Sequence, residues 1–205
     1  MSDSALSVIV LTRNEERDLA RCLEAARNLG PIIVVDSGST DRTREIAIAN
    51  HARVFEHPFA SFGQQRNWAL TNCEITTEWV LFLDADEIAT PEFCRAIIDA
   101  TKNAPANIAG FYCCWKTLLD GTWLRRSDSF PKWQFRLLRR GHATFRDVGH
   151  GQKEGTWDGE IGYIAEPYVH DAFSKGWEDW RAKHERYATQ EAIDRSARAI
   201  CGRDL

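Results

Sequence analysis

The chain has no apolar run approaching the ~18–20 residues needed to span a bilayer, so any membrane contact must be peripheral. No signal peptide is expected from its first residues, and its six cysteines (Cys22, Cys73, Cys94, Cys113, Cys114 and Cys201) contain no C-x-x-C pair of the zinc-site kind. They are expected to be reduced structural thiols in a cytoplasmic protein. An excess of positive charge is also missing: 26 Lys and Arg against 30 Asp and Glu leave a net charge of −4, which argues against a nucleic-acid partner.

What is present in the first hundred residues is an alternation of strands and helices. SVIVLT (7–12), IIVVD (32–36), RVFEH (53–57) and WVLFLD (79–84) read as strands, the apolar ones buried on both faces. Asn14 is expected to cap a helix in which Leu19, Cys22, Leu23 and Ala26 fall at helical spacing. A second helix follows S-G-S-T-D with Ser39 or Thr40 as cap, a third covers QQRNWALTN (64–72), and a fourth opens at Thr90-Pro91. Such alternation predicts an α/β fold with a mainly parallel sheet and helices on both faces. Ligands then bind outside the carboxyl ends of the strands.

At one of those ends stands LFLDADE (81–87), an apolar strand running into Asp84 and Asp86. If the chain stays extended, alternate residues share a face, and the pair could converge on Mg²⁺ or Mn²⁺, which take one or two carboxylates and complete their shell with water and phosphate oxygens. A lone D-x-D is more often a solvated turn; the preceding buried strand is what favours a site. In the same crevice Asp36 is expected to accept from a base N–H, Gly38 to allow close backbone approach, and Arg66 to meet phosphate or ribose.

TRNEE (12–16), VVDSGSTDRT (34–43), GQQRNWAL (63–70) and FLDADE (82–87), in that order, resemble the signatures of family-2 glycosyltransferases of GT-A fold. WQFRLLRRG (133–141), VGHGQKEG (148–155) and VHDAFSKGW (169–177) resemble more loosely the subgroup around the lipopolysaccharide-core β-1,4-glucosyltransferases. The resemblance implies that Thr12, Asn14, Glu15 and Asp36 line a nucleoside pocket, that Arg66 lies near the nucleotide, and that Asp84 touches ribose or the metal shell. It also implies that Asp86 holds Mg²⁺ or Mn²⁺. His170 is a further candidate metal ligand, and Arg136 and Arg139 are the choices for the diphosphate. An inverting transfer needs a general base, and the candidates are Glu154, Asp147 and His150, with Glu154 favoured. The implied activity is transfer of a sugar, glucose by the subgroup's suggestion, from a UDP-sugar to a glycan or lipid-linked acceptor such as lipopolysaccharide core.

From Lys116 to Arg146 eight basic residues face two acids, interleaved with aromatics. These read either as a site for an anionic partner or as antiparallel strands whose aromatics pack inward. The expected organisation is a GT-A domain over 1–173, with a nucleotide half (1–103) and an acceptor and diphosphate half (104–173) containing a small antiparallel β region. An amphipathic helix then fills 174–205, where Trp177, Trp180, His184 and Tyr187 recur at helical steps. Relatives usually continue past this point, so a short or truncated chain is expected, located in the cytoplasm or peripherally at the inner face of the cytoplasmic membrane. Two rival readings are a non-catalytic sugar- or nucleotide-binding module and a sugar nucleotidyltransferase. The second would want a glycine-rich loop where TRNEE stands.

Overall fold

The computed structural model describes residues 5–126, 128–149 and 151–201, the side chains of 190 and 194–201 excepted. In chain order the elements are β1 (Leu6–Thr12), α1 (Leu19–Ala26), β2 (Ile32–Asp36), α2 (Thr43–Ala49), β3 (Arg53–Glu56), α3 (Phe62–Asn72), β4 (Trp79–Asp84), β5 (Glu87–Ile88) and α4 (Pro91–Asn103). There follow β6 (Ile108–Leu119), β7 (Thr122–Trp123), β8 (Lys132–Arg139), β9 (Ala143–Val148), β10 (Gly151–Trp157), β11 (Glu160–His170) and α5 (Trp177–Cys201).

One sheet carries both halves of the chain, in the order β3-β2-β1-β4-β8-β6-β11-β5. The first four of these strands are parallel. β8 runs antiparallel between β4 and β6, and β11 lies parallel to β6. Every residue of β1 and β2 is buried because layers cover both faces of the sheet. On one face Val8, Val10, Leu81 and Leu83 pack with Leu19, Cys22, Leu23 and Ala26 of α1 and with Phe93 and Ile97 of α4. On the other, Ile9, Val35, Phe82 and Phe135 pack with Ala69 of α3 and Phe145 of β9. The antiparallel pair β9–β10 therefore shares the second face with α3, where α1 and α4 cover the first.

Local signals were honoured where nothing competed with them. Thr90 caps α4, its hydroxyl accepting the Phe93 N–H at 3.1 Å with Pro91 in the first turn. The caps expected at α1 and α2 are corrected. Asn14 sits at φ 56° and its side-chain oxygen accepts the Thr40 N–H at 2.9 Å, while α1 begins only at Leu19. Asp41, and neither Ser39 nor Thr40, accepts the Thr43 N–H at the start of α2. Asn14 and Ser39 are instead spent on bonds between the two strand-end turns, Ser39 accepting the Asn14 N–H at 2.8 Å, while the α2 cap stays local to Asp41. The basic stretch is largely spent internally as well: Lys116 and Arg125 lie over Trp123, Lys132 over Trp115 and Arg139 over Trp79.

Candidate active site

The carboxyl ends of β1, β2 and β4 lie side by side, with Thr12 opposite Asp36 and Leu11 opposite Asp84. Gly38, at φ +81°, gives the turn after β2 the left-handed conformation it needs. Asp36 is fully buried and accepts from the N–H groups of Gly38 and Ser39 and from the hydroxyls of Thr12 and Ser39. Its carboxylate is thus filled by its own turn, which corrects the expectation that it receives a base N–H; with Thr12 it holds the pocket floor in shape. Beside it Gln65, also fully buried, donates to Ser37 Oγ at 3.1 Å and binds His57 Nδ1 at 2.7 Å, tying α3 to the same rim.

Asp84 points toward α3 and β8. Its two oxygens accept from Arg66 at 2.9 Å and Arg136 at 2.8 Å. Arg136 also pairs with Glu87, a buried carboxylate that accepts the Asp84 N–H at 2.8 Å. The two cations hold Asp84 below the usual carboxylate range, outweighing burial, which acts the other way. Glu87 is raised, with burial outweighing the opposing attraction of Arg136. Neither arginine reaches solvent, Arg66 being 0% and Arg136 1% exposed at the side chain, so Arg136 does not face a diphosphate as expected but braces two acids from beneath. Arg139 is corrected more plainly. It lies opposite Trp79, at the amino end of β4, and binds Glu78 and the carbonyls of Ile108 and Pro105, at the edge of the sheet away from the crevice.

The strand ends at Asp84, and the chain turns at 85 and 86. Asp86 consequently finds a partner of its own, His170 at the end of β11, with Nε2 to Oδ2 at 3.3 Å. Burial lowers the His170 pKa, but Asp86 more than offsets it and the net shift is upward.

Residues 171–175 then fold back over the N-terminal loop. Asp171 takes Arg21 at 2.8 Å, Ser174 donates to Asp18 at 2.7 Å, and Lys175 reaches the Asn14 carbonyl at 3.0 Å and Glu15 at 2.8 Å. From this strap α5 crosses the mouth of the crevice. The Lys183 ammonium is drawn to Asp86, with Asp84 and Glu15 beyond, and Glu191 reaches the turn at Gly149.

Burial pushes Glu15 up to about 7 against the pull of Lys175. The folded protein therefore holds this proton more tightly than the unfolded chain, so Glu15's contribution is fully present below the ordinary value of 4.5 and is lost as pH rises to about 7. Glu15→Gln is expected to remove that decline, so the variant should gain stability relative to the native chain across this window and level off above it. Urea unfolding at stepped pH checks this, and a difference independent of pH would refute it.

The base candidates separate by geometry. Asp147 accepts from Ser61 Oγ at 2.7 Å and from the Gly63 N–H at 2.8 Å, where an added Cβ on Gly63 would stand only 2.8 Å from its oxygen. It is an anchor between β9 and the first turn of α3. Glu154, half-buried on β10, lies opposite Phe145 of β9, and burial together with Glu154 raises the phenol pKa of Tyr112 on β6. His150 lies outside the described residues.

Sequence reasoning missed Glu87, Gln65, Asp18, Lys175 and Lys183. Glu87 stood inside the quoted LFLDADE, but an acid one residue past a D-x-D has no local signal of burial. The lysines belong to a segment that reaches the crevice only through tertiary contact.

The family model described as Glycosyl transferase family 2 matches residues 7–152. A lipopolysaccharide core biosynthesis glycosyltransferase, LpsC of Rhizobium meliloti, is 27% identical over 155 residues, covering 73% of this chain and 56% of that protein. An uncharacterized glycosyltransferase of Rickettsia typhi is 36% identical over 88 residues, covering 42% of this chain and 30% of its own length. The chain thus spans from about a third to just over half of these relatives. Among solved structures, a glucosyl-3-phosphoglycerate synthase of Mycobacterium tuberculosis, in complex with phosphoglyceric acid, superposes with a TM-score of 0.54 at 17% identity, covering 83% of this chain and 73% of that one. That likeness is one of fold. No helix among the described residues is long and apolar enough to cross a membrane.

Proposed function

The chain belongs to glycosyl transferase family 2, and from that premise we propose that it moves a sugar from a UDP-sugar to a glycan or lipid-linked acceptor, with inversion and with help from Mg²⁺ or Mn²⁺. The observation that carries this reading is the Asp86–His170 pair at the mouth of the crevice, with Asp84 fixed behind it. A separation of 3.3 Å between a carboxylate oxygen and an imidazole nitrogen suits two neighbouring ligands of one cation, which sit about 3.0 Å apart when each bond is about 2.1 Å. Among the described residues no group of three or more His, Cys, Asp or Glu side chains surrounds one point, so water and the donor's phosphates would complete the shell.

Each residue then has a task. Asp86 and His170 would hold the cation, whose chemistry is to neutralise charge on the departing diphosphate. Asp84, kept ionised by Arg66 and Arg136, has about a third of its side chain open to the crevice, where it would accept a hydrogen bond from a hydroxyl of the donor. Asn14 and Glu15, between the strap and the turn after β2, border the nucleoside. Glu154 takes the proton from the acceptor hydroxyl as that oxygen attacks the anomeric carbon from the face opposite the diphosphate. The sequence relationship to LpsC favours a lipopolysaccharide core acceptor.

Glu154→Gln is expected to leave UDP affinity unchanged and to cut transfer by about 10²–10⁴-fold. Retained turnover would move the base elsewhere. The reading as a whole is tested by calorimetric titration with UDP, GDP and CDP, each with and without Mn²⁺. Selective, Mn²⁺-dependent binding of UDP is expected; failure of all three to bind would leave a sugar-binding module as the better account.

A further inference from the structure

Three aromatic rings from adjacent strands form an exposed cluster beside Glu154. Tyr112 of β6 stacks on Tyr163 of β11 with centroids 5.3 Å apart and planes at 22°, and Tyr163 meets Trp133 of β8 edge to face at 5.1 Å. Tyr163 is 63% exposed and Trp133 38%. Tyr112 links this cluster to the base, since it rests on Phe135 of the core, and Phe135 meets Phe145, the residue opposite Glu154 on β9.

We infer that Tyr163 and Trp133, continued inward by Tyr112, form the platform on which a pyranose ring of the acceptor stacks. The inference rests on the transferase reading and adds to it the position of the acceptor. A base must lie within about 2.6–3.2 Å of the hydroxyl it deprotonates, so the rest of the acceptor has to pass over the surface around Glu154. On the side of Tyr112 that surface is aromatic. Ring faces carry partial negative charge and suit the C–H face of a pyranose, while the phenolic rim of Tyr163, in water, suits its hydroxyls. An acyl chain would want a continuous apolar groove, whereas three rings with polar rims match a ligand that is itself half polar. The register supports the same direction: Tyr163 pairs with Tyr112, and Trp133 lies opposite Cys114, two residues farther toward the carboxyl end of β6. This is the direction in which β4 runs toward Asp84, because β4 and β6 flank β8 with the same polarity.

The test is saturation-transfer NMR on the full chain with methyl glycosides of glucose, galactose, mannose and N-acetylglucosamine, with dodecylphosphocholine micelles as the lipid probe. UDP binding in Mn²⁺ is measured on the same samples. Saturation is expected to reach the ring C–H protons of at least one glycoside. The affinity should fall about tenfold in Tyr163→Ala/Trp133→Ala, which corresponds to about 1.4 kcal/mol. Both side chains are exposed, so the variant should keep the native far-ultraviolet circular dichroism and UDP affinity. No transfer to any glycoside, transfer equal in the variant, or an effect of the variant on micelles alone would overturn the platform. If UDP binds while the glycosides do not, only the platform fails; if UDP does not bind, the transferase reading fails and the ring contacts are judged by the glycoside data alone.

Discussion

Arg136→Met is expected to destabilise the protein by about 3–5 kcal/mol, the usual cost of removing one partner from a buried ionic group. Arg136 is the cation shared by Asp84 and Glu87, and Glu87 is only 2% exposed at the side chain. Without it Asp84 keeps Arg66, but Glu87 loses its ion-pair partner among the described residues. Stabilities of about 5–15 kcal/mol are ordinary, so a loss of this size would take a third of the total or more. The defect should also depend on pH. Burial already raises Glu87 and Arg136 is the main influence opposing it, so the variant's Glu87 should hold its proton to still higher pH. Neutral Glu87 needs no cation, and the loss measured by urea unfolding should be smaller at pH 5 than at pH 8. The double variant Arg136→Met/Glu87→Gln should recover part of the stability, since the two side chains are coupled. A loss below about 1 kcal/mol at pH 8 would mean that the brace is dispensable.

Asp86→Asn should do the reverse, sparing the fold and removing the chemistry. UDP affinity in Mn²⁺ is expected to drop to its metal-free value. Transfer should fall by about 10³-fold or more, the equivalent of several kcal/mol of charge stabilisation at the diphosphate. A second readout needs neither donor nor metal. His170 is held above its ordinary value because Asp86 outweighs the burial that lowers it, so in the variant burial should prevail and the His170 pKa should fall. An NMR titration of the imidazole would show this directly. Unchanged UDP affinity in Mn²⁺ would remove Asp86 from the metal, and an unmoved His170 would break the pairing on which the site is built.

The parts of this site that were legible in the sequence are those set by local pattern. Apolar runs that end in polar residues marked β1, β2 and β4, and because all three strands are parallel, their polar ends had to share one edge. Thr90-Pro91 announced α4 by a cap that depends on four successive residues, 90–93. Asp84 and Asp86 were visible as chemistry for the same reason, since few buried strands run straight into two acids. Their division of labour was not visible. The turn after Asp84 sends Asp86 to His170, 84 residues away in sequence, while Asp84 faces Arg66 and Arg136.

The second half was harder to read because its signals are mutual. Arg136 and Arg139 are three residues apart on one strand and look alike in sequence, yet β8 carries one beneath Asp84 and the other to the far edge of the sheet. Only the register of β8 against β4 separates a brace from a surface ion pair. Asp36 looked open because its bonding partners, Thr12 and its own turn, cannot be counted without coordinates.

By itself, then, the amino-acid sequence determined the α/β alternation, the edge at which the polar strand ends gather and the acids that stand there, because hydrophobic period and strand polarity act over a few residues. Tertiary structure alone decided which of those acids are already satisfied, which arginines are buried, and that the strap at 171–175 with Lys183 of α5 closes over the crevice. Those outcomes depend on desolvation and on partners brought together by strand register, and neither quantity is a property of any short stretch of chain.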